Sequence, residues 1–238
     1  MQRLREITEN SRVAIIGPSP HLVGLRLGKI IDDYDVIARV NDIIPVGRES
    51  DYGSRTDIVF HGCGTRDMDQ LARKMRESIS VTNRIELFVC PGIKAQHDWG
   101  GDVTENFQSI NEHRIPFEAI SKEKYAHYTR EVGTELNSGI MSILLLLENM
   151  PKSLFITGFS FYFQGNQYDK CYYDGYVEDC YRSQHFNPWT GHKQAPQQSF
   201  FINHILTKHR DTVIIDSYMR NLLNLRYENV FELEGIRA

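Results

Sequence analysis

Tyr162, Tyr168, His192 and a group of small polar residues fall within one stretch of the chain, from Leu136 to His192. Asn137-Ser138-Gly139 opens an apolar run, Ile140 to Leu147, and a second apolar run, Leu154 to Gly158, continues through Phe159 to Tyr162. Tyr168 follows, and Gly191-His192 closes the stretch. Backbone amides at a helix start can hold a phosphate. Tyrosine hydroxyls can stabilise charge on a leaving group, and a histidine titrating near neutrality can take the proton of an attacking hydroxyl. These residue types suit the transfer of a sugar from a phosphate-bearing donor to an alcohol. A lone histidine is more often a surface or core residue than a base, so pattern alone leaves the role of His192 open.

A second set of residues lies near the start of the chain. Gly17-Pro18-Ser19 follows an apolar run, where a glycine lets the backbone approach a phosphate or ribose and a serine can donate to it. The turn lacks the GxGxxG spacing of a dinucleotide fold and the Lys-Ser/Thr ending of a P-loop, so it reads equally well as a structural turn. Asn41, at the end of the next apolar run, has an amide that can read a base or ribose, or can simply cap the strand. Asp32-Asp33-Tyr34-Asp35 has the look of a metal-binding DxD sequence. It precedes its apolar run, which puts it at the edge of a sheet opposite the ligand side, and a solvated turn is the preferred reading.

The elements that must position these residues follow from hydrophobic patterning. Arg12–Gly17, Asp35–Asn41, Thr56–His61, Arg84–Cys90, Leu154–Gly158 and Thr212–Asp216 read as short buried strands, and their spacing marks βαβ units. Helices are predicted over Leu22–Ile31, Met68–Ile79, Thr134–Leu147 and Gln197–His209. Ser138 or Asn137 is the expected cap of the third, whose all-round apolar face predicts burial. The segment from Ile93 to Arg130 reads as short helices and loops, and the part after Asp216 as a small helix and tail. The glycine, tyrosine and asparagine of Ser160–Ala195 suit a long functional loop.

Composition narrows the function. A length of 238 residues is right for one α/β domain. With 27 basic and 31 acidic residues the formal charge is −4, which gives no global field for a polyanion, so nucleic acid is not the expected partner. No stretch reads as a signal peptide or a bilayer span, which predicts a cytoplasmic protein, with peripheral membrane contact left open. The cysteines Cys63, Cys90, Cys171 and Cys180 are too widely spaced to mark a disulfide scaffold or a CxxC metal knuckle.

In order along the chain, these residues resemble a known family. Arg12 to Ser19, Gly28 through Asp35 to Asn41, and Asp51-Tyr52-Gly53-Ser54-Arg55-Thr56 are similar to the large sialylmotif of the animal-type sialyltransferases of family 29. Asn137-Ser138-Gly139 leading to Phe155–Phe159 resembles their small motif, and His192 with Gln197 their very small motif. The second half is also similar to the short bacterial sialyltransferases of family 42, in Ser138-Gly139, Gly158 to Tyr162, Tyr168 and Gly191-His192. The resemblance implies a single Rossmann-like domain over residues 1–238, α/β with a mostly parallel sheet flanked by helices, a GT-A-like variant with a lid loop at about 163–190.

It further implies an inverting, metal-independent glycosyltransferase. Sialic acid, or a related 2-keto acid sugar such as Kdo, would move from its CMP conjugate to a glycan hydroxyl. His192 would be the general base, and Tyr162 and Tyr168 the contacts of the leaving phosphate. Gly17, Pro18, Ser19, Asn41, Asn137, Ser138, Gly139, Gly158 and Phe159 would form the nucleotide-sugar site, with no cofactor or metal. A transferase for another nucleotide sugar and a catalytically silent nucleotide- or glycan-binding module are the alternatives. Several positions depart from the pattern. Pro18 stands where the animal motif has asparagine, the cysteine pair of the large and small motifs is missing, Gln197 replaces a glutamate, and Gly62 replaces a bacterial asparagine.

Overall fold

Val13, Ala14, Ile15 and Ile16 are each no more than 3 % exposed, so the first strand is covered on both faces, as a central parallel strand requires. The computed structural model describes residues 1–41, 47–64, 68–92, 102–160 and 194–233. Its first half contains α1 (Gln2–Thr8), β1 (Arg12–Ile16), α2 (Gly28–Asp32), β2 (Val36–Val40), α3 (Glu49–Tyr52), β3 (Ile58–Phe60), α4 (Met68–Glu77), α5 (Ile79–Thr82) and β4 (Leu87–Cys90). There follow α6 (Val103–Gln108), β5 (Phe117–Ala119), α7 (Lys122–Val132), α8 (Ser138–Glu148), β6 (Ser153–Thr157), α9 (Gln194–Phe200), β7 (Val213–Asp216), α10 (Ser217–Leu222) and β8 (Val230–Phe231). The strands form one sheet in the order β5-β4-β3-β2-β1-β6-β7-β8, with every pairing parallel.

This order has one reversal. From β1 the chain adds strands outward through β2 to β5, then crosses to the other side of β1 and continues outward from β6 to β8. The C-terminal ends of β1 and β6 therefore flank the topological switch point, where open α/β sheets leave a crevice for ligands. Alternate residues feed two cores. Val13, Ile15, Val36, Ala38 and Val40 pack with α8 and with Phe201 and Ile205, while Ala14, Ile16, Ile37 and Phe155 pack with Leu22, Ile31 and Tyr52 on the other face. Every residue of α8 from Ile140 to Leu147 is buried, as its apolar run predicts.

Arg39 is the exception inside β2: it is 3 % exposed. Its guanidinium donates to the carbonyls of Tyr52, Gly53 and Arg55 and to the hydroxyl of Thr56. A planar fork of five donors suits this set of carbonyls, and it fastens the 52–56 turn to the sheet.

The six predicted strands are present, with two short edge strands added. β5 is three residues long and not buried, and β8 has two residues, so neither carries a readable hydrophobic pattern. The segment read as short helices and loops also holds the eleven-residue α7. The helix predicted over Leu22–Ile31 is a 3₁₀ turn, Pro20–Leu22, and the short α2. Between them Gly24 and Arg26 take left-handed φ values of 87° and 56°, and their amides bind the Asp51 carboxylate instead of a helix. The helix over Gln197–His209 starts in α9 and passes into a π-helical segment, Phe201–Leu206.

Gly158 has φ +77°, and a Cβ there would lie 2.4 Å from the carbonyl oxygen of Gly17. Gly158→Ala is expected to cost about 3 kcal/mol or more, which lowers the melting temperature by roughly 6–12 °C in a chain of this size. Gly133→Ala is the control. Gly133 is also left-handed at the end of α7, but a Cβ there meets nothing within 4 Å, so its cost is about 1 kcal/mol. Equal melting temperatures for the two variants would contradict the close backbone approach.

Candidate functional site

The crevice is built from backbone first. The Gly17 amide donates to the Thr157 carbonyl at 2.9 Å, and the Ser19 amide to the Gly158 carbonyl at 2.9 Å. The turn after β1 is thus tied to the end of β6 over two further residues. A Cβ on Gly17 would lie 2.3 Å from the Gly158 oxygen, so this approach requires glycine at both positions.

Phe159 extends the contact to α8. Its ring lies 3.0 Å from where a Gly17 Cβ would stand and 2.9 Å from where a Gly139 Cβ would stand, so both glycines make room for one ring. Of the two expected caps, Ser138 and Asn137, the cap is Asn137, whose side chain accepts from the Ile140 amide at 2.9 Å. Asn137, Ser138 and Gly139 are partly exposed. The first-turn amides of Ser138 and Gly139 are the orphan donors of a helix start, at the positive end of an eleven-residue helix.

Gln197 holds this helix start from behind. It is 2 % exposed, and its Oε1 accepts from the Asn137 amide at 2.8 Å. An amide oxygen accepts here as a carboxylate oxygen would, so the glutamine in place of glutamate keeps the acceptor and gives up the charge.

On the other side of Gly17 a buried polar chain runs from the turn to the end of β7. His21 Nδ1 lies 3.0 Å from Ser19 Oγ, and His21 Nε2 lies 3.3 Å from Asp216 Oδ2. Thr157 Oγ1 donates to the same carboxylate oxygen at 2.7 Å, while Oδ1 accepts from the Met219 amide at the start of α10. Tyr218 stacks on His21 with ring centroids 4.0 Å apart. Sequence reasoning passed over His21 and Asp216. Their signal was position: His21 stands two residues beyond Ser19, and Asp216 ends a predicted strand.

Asn41 lies at the end of β2, beside β1, with φ +63°. Its amide donates to the Phe60 carbonyl at 2.8 Å. His61, at the end of β3, is buried, and its Nδ1 accepts from the Cys63 amide at 3.0 Å. Gly17, Pro18, Ser19, Asn41, Asn137, Ser138, Gly139, Gly158 and Phe159 thus all stand at the C-terminal side of the sheet, around the switch point. Tyr162, Tyr168, His192 and the proposed 163–190 loop lie outside the described residues.

The aspartates of the DxD-like sequence lie at the other edge and are taken up by structural partners. Asp32 accepts from the Ser54 and Arg55 amides and the Ser54 hydroxyl. Asp33 and Asp35 pair with Arg12, at 3.2 and 3.1 Å. Hydrogen bonds from the Arg12 amide and guanidinium hold the Asp35 carboxyl below its ordinary pKa.

Residues 5–99 match the model of glycosyltransferase family 29 (sialyltransferase). In that region the chain is sialyltransferase-like. Two solved structures extend the likeness to the fold of the whole chain. A mammalian sialyltransferase aligns at 15 % identity with a TM-score of 0.50, covering 97 % of this chain and 78 % of that one. A mammalian sialyltransferase in complex with Gal-beta-1-3GalNAc-ortho-nitrophenol aligns at 14 % identity, with the same TM-score and coverage. No curated protein sequence matches the chain. Among the described residues, no helix is long and apolar enough to cross a membrane.

The Gln197 contact gives a direct test. Gln197→Glu keeps an acceptor for the Asn137 amide and is expected to stay within about 1 kcal/mol of the parent, whereas Gln197→Leu leaves that amide unsatisfied and costs about 1–3 kcal/mol. Denaturant unfolding distinguishes them; equal losses for both would show that the acceptor is not what matters at this position.

Proposed function

We propose that the protein is a CMP-sugar-dependent glycosyltransferase that moves sialic acid, or a closely related 2-keto acid sugar, to a glycan hydroxyl. The observation that carries this reading is convergence. Gly17, Gly158, Phe159 and Gly139 meet at the switch point of a parallel sheet, beside the first amides of α8, in a chain whose residues 5–99 match a sialyltransferase family.

The nucleotide lies over the ends of β1 and β2, with Asn41 on the ribose or base. The donor phosphate takes the amides of Ser138 and Gly139 at the positive end of α8. As the glycosidic bond breaks, CMP departs with a growing negative charge, and the hydroxyls of Tyr162 and Tyr168 donate to it, so no metal is needed. His192 takes the proton of the acceptor hydroxyl as that oxygen attacks the anomeric carbon from the opposite face, which inverts the configuration. The roles of Tyr162, Tyr168 and His192 rest on the sequence resemblance alone. A glycan acceptor is supported by the disaccharide derivative that one structurally similar sialyltransferase binds.

The test is CMP release from CMP-sialic acid and from CMP-Kdo, with varied glycan acceptors, with and without chelator. Release from CMP-sialic acid that chelator leaves unchanged is the expected result; no release from either donor at high enzyme would contradict the proposal and leave a transferase for another nucleotide sugar or a silent binding module. His192→Ala is expected to slow transfer by roughly 10²–10⁴-fold with CMP affinity nearly unchanged. Tyr162→Phe and Tyr168→Phe are expected to lower turnover, and a change confined to acceptor affinity would remove them from the phosphate.

A further inference from the structure

Ser19 is held on three sides. Its amide donates to Gly158, its carbonyl accepts from the Tyr52 hydroxyl at 2.6 Å, and its side chain meets His21 Nδ1 at 3.0 Å. Ser19 is 3 % exposed, the His21 side chain 4 %, and Asp216 0 %. A hydroxyl has one proton to give, so the partner that takes it decides what Ser19 offers to anything else.

His21 makes that decision. The Asp216 carboxylate already accepts from Thr157 Oγ1 and the Met219 amide, and as an acceptor it fixes the proton of neutral His21 on Nε2. Nδ1 is then an acceptor and takes the Ser19 hydroxyl proton, leaving only lone pairs on Oγ. When the imidazole gains a proton from solvent, Nδ1–H donates to Oγ instead, and the Ser19 hydroxyl becomes a donor. The new positive charge sits 3.3 Å from Asp216, between side chains that are 4 % and 0 % exposed.

An anionic ligand at the β1 turn needs donors and is repelled by lone pairs. We propose that His21 and Asp216 are positioning residues that couple binding of the donor phosphate to protonation of His21, so that the nucleotide is bound together with a proton. This inference rests on the nucleotide-sugar reading of the crevice. Among the described residues, the groups that face His21 are Asp216 and Tyr218 from the β7–α10 corner and, past Ser19, Tyr52 of α3; Asp51 of the same helix is engaged by the amides of Gly24 and Arg26. Among the described residues, the Asp216 carboxylate is the charged partner of His21.

The probe is cytidine 5′-(methyl phosphate), a diester like a CMP-sugar, whose own phosphate does not titrate near neutrality; cytidine is the uncharged control. Calorimetric titration in buffers of different ionisation enthalpy reads the protons taken up per ligand bound. The parent is expected to take up a fraction of a proton at pH 7.5, approaching about one, and to bind the diester more tightly as pH falls, by at most about tenfold per pH unit. His21→Gln can bridge Ser19 and Asp216 but cannot gain a proton, so its affinity is expected to be weaker and free of proton uptake. Ser19→Ala, which leaves the His21–Asp216 pair intact, is expected to lose the uptake as well and serves if the first variant does not fold. Unchanged uptake in either variant, uptake with cytidine equal to that with the diester, or no uptake by a parent that binds the diester would overturn the inference. A purely structural role would lower the melting temperature of the variants and leave uptake per bound ligand as it is. Failure of the parent to bind the diester or CMP at all would instead overturn the nucleotide reading, and this inference with it.

Discussion

Two backbones pass so closely at the ends of β1 and β6 that neither can carry a side chain. Hydrogen bonds from Gly17 to Thr157 and from Ser19 to Gly158 hold them there, across a separation of about 140 residues in sequence. The rest of the site depends on this apposition. It sets the distance between the β1 turn and Phe159, and Phe159 in turn sets how near α8 can bring its first amides. A parallel sheet supplies the place for it, because the reversal of strand order leaves the β1 and β6 ends without a crossing connection above them.

Buried polar groups then fasten distant segments to that frame. Gln197 holds the start of α8, Arg39 holds the 52–56 turn, and Asp216 joins the ends of β6 and β7 to the turn after β1 through Thr157 and His21. Each is an acceptor or donor enclosed by the fold and paired within it. Such contacts add only modestly to net stability, but losing one partner leaves the other stranded, so they select one arrangement over its neighbours. That selection keeps a hydroxyl, a helix start and a glycine turn in one relative position.

Much of this was legible in the sequence, for reasons that differ by element. The strands from Arg12 to Ile16 and from Ser153 to Thr157 are buried on both faces, so their apolar runs are unbroken and easy to read. The chemistry of a helix start narrowed the cap of α8 to Ser138 or Asn137, and the structure selects Asn137. The edge strands β5 and β8 escaped notice because three and two partly exposed residues carry no periodicity. The broken helix after Leu22 was hidden because its cause, the Asp51 carboxylate, lies 25 residues or more downstream. His21 and Asp216 were unreadable as a pair for the same reason, since only the fold brings together residues 195 apart. The placement of Gly17, Ser19, Asn41, Ser138, Gly139 and Phe159 around one crevice agrees with the order of the sequence motifs, and the family match over residues 5–99 covers the first three of them.

The central claim is that the switch point between β1 and β6 is a nucleotide site. A crystal structure of the protein with CMP tests it most directly. The account predicts the phosphate within hydrogen-bonding distance of the Ser138 and Gly139 amides and the cytidine over the ends of β1 and β2, beside Asn41. CMP found instead at the opposite edge of the sheet, against the depression lined by Arg12, Lys29 and Tyr34, would contradict it.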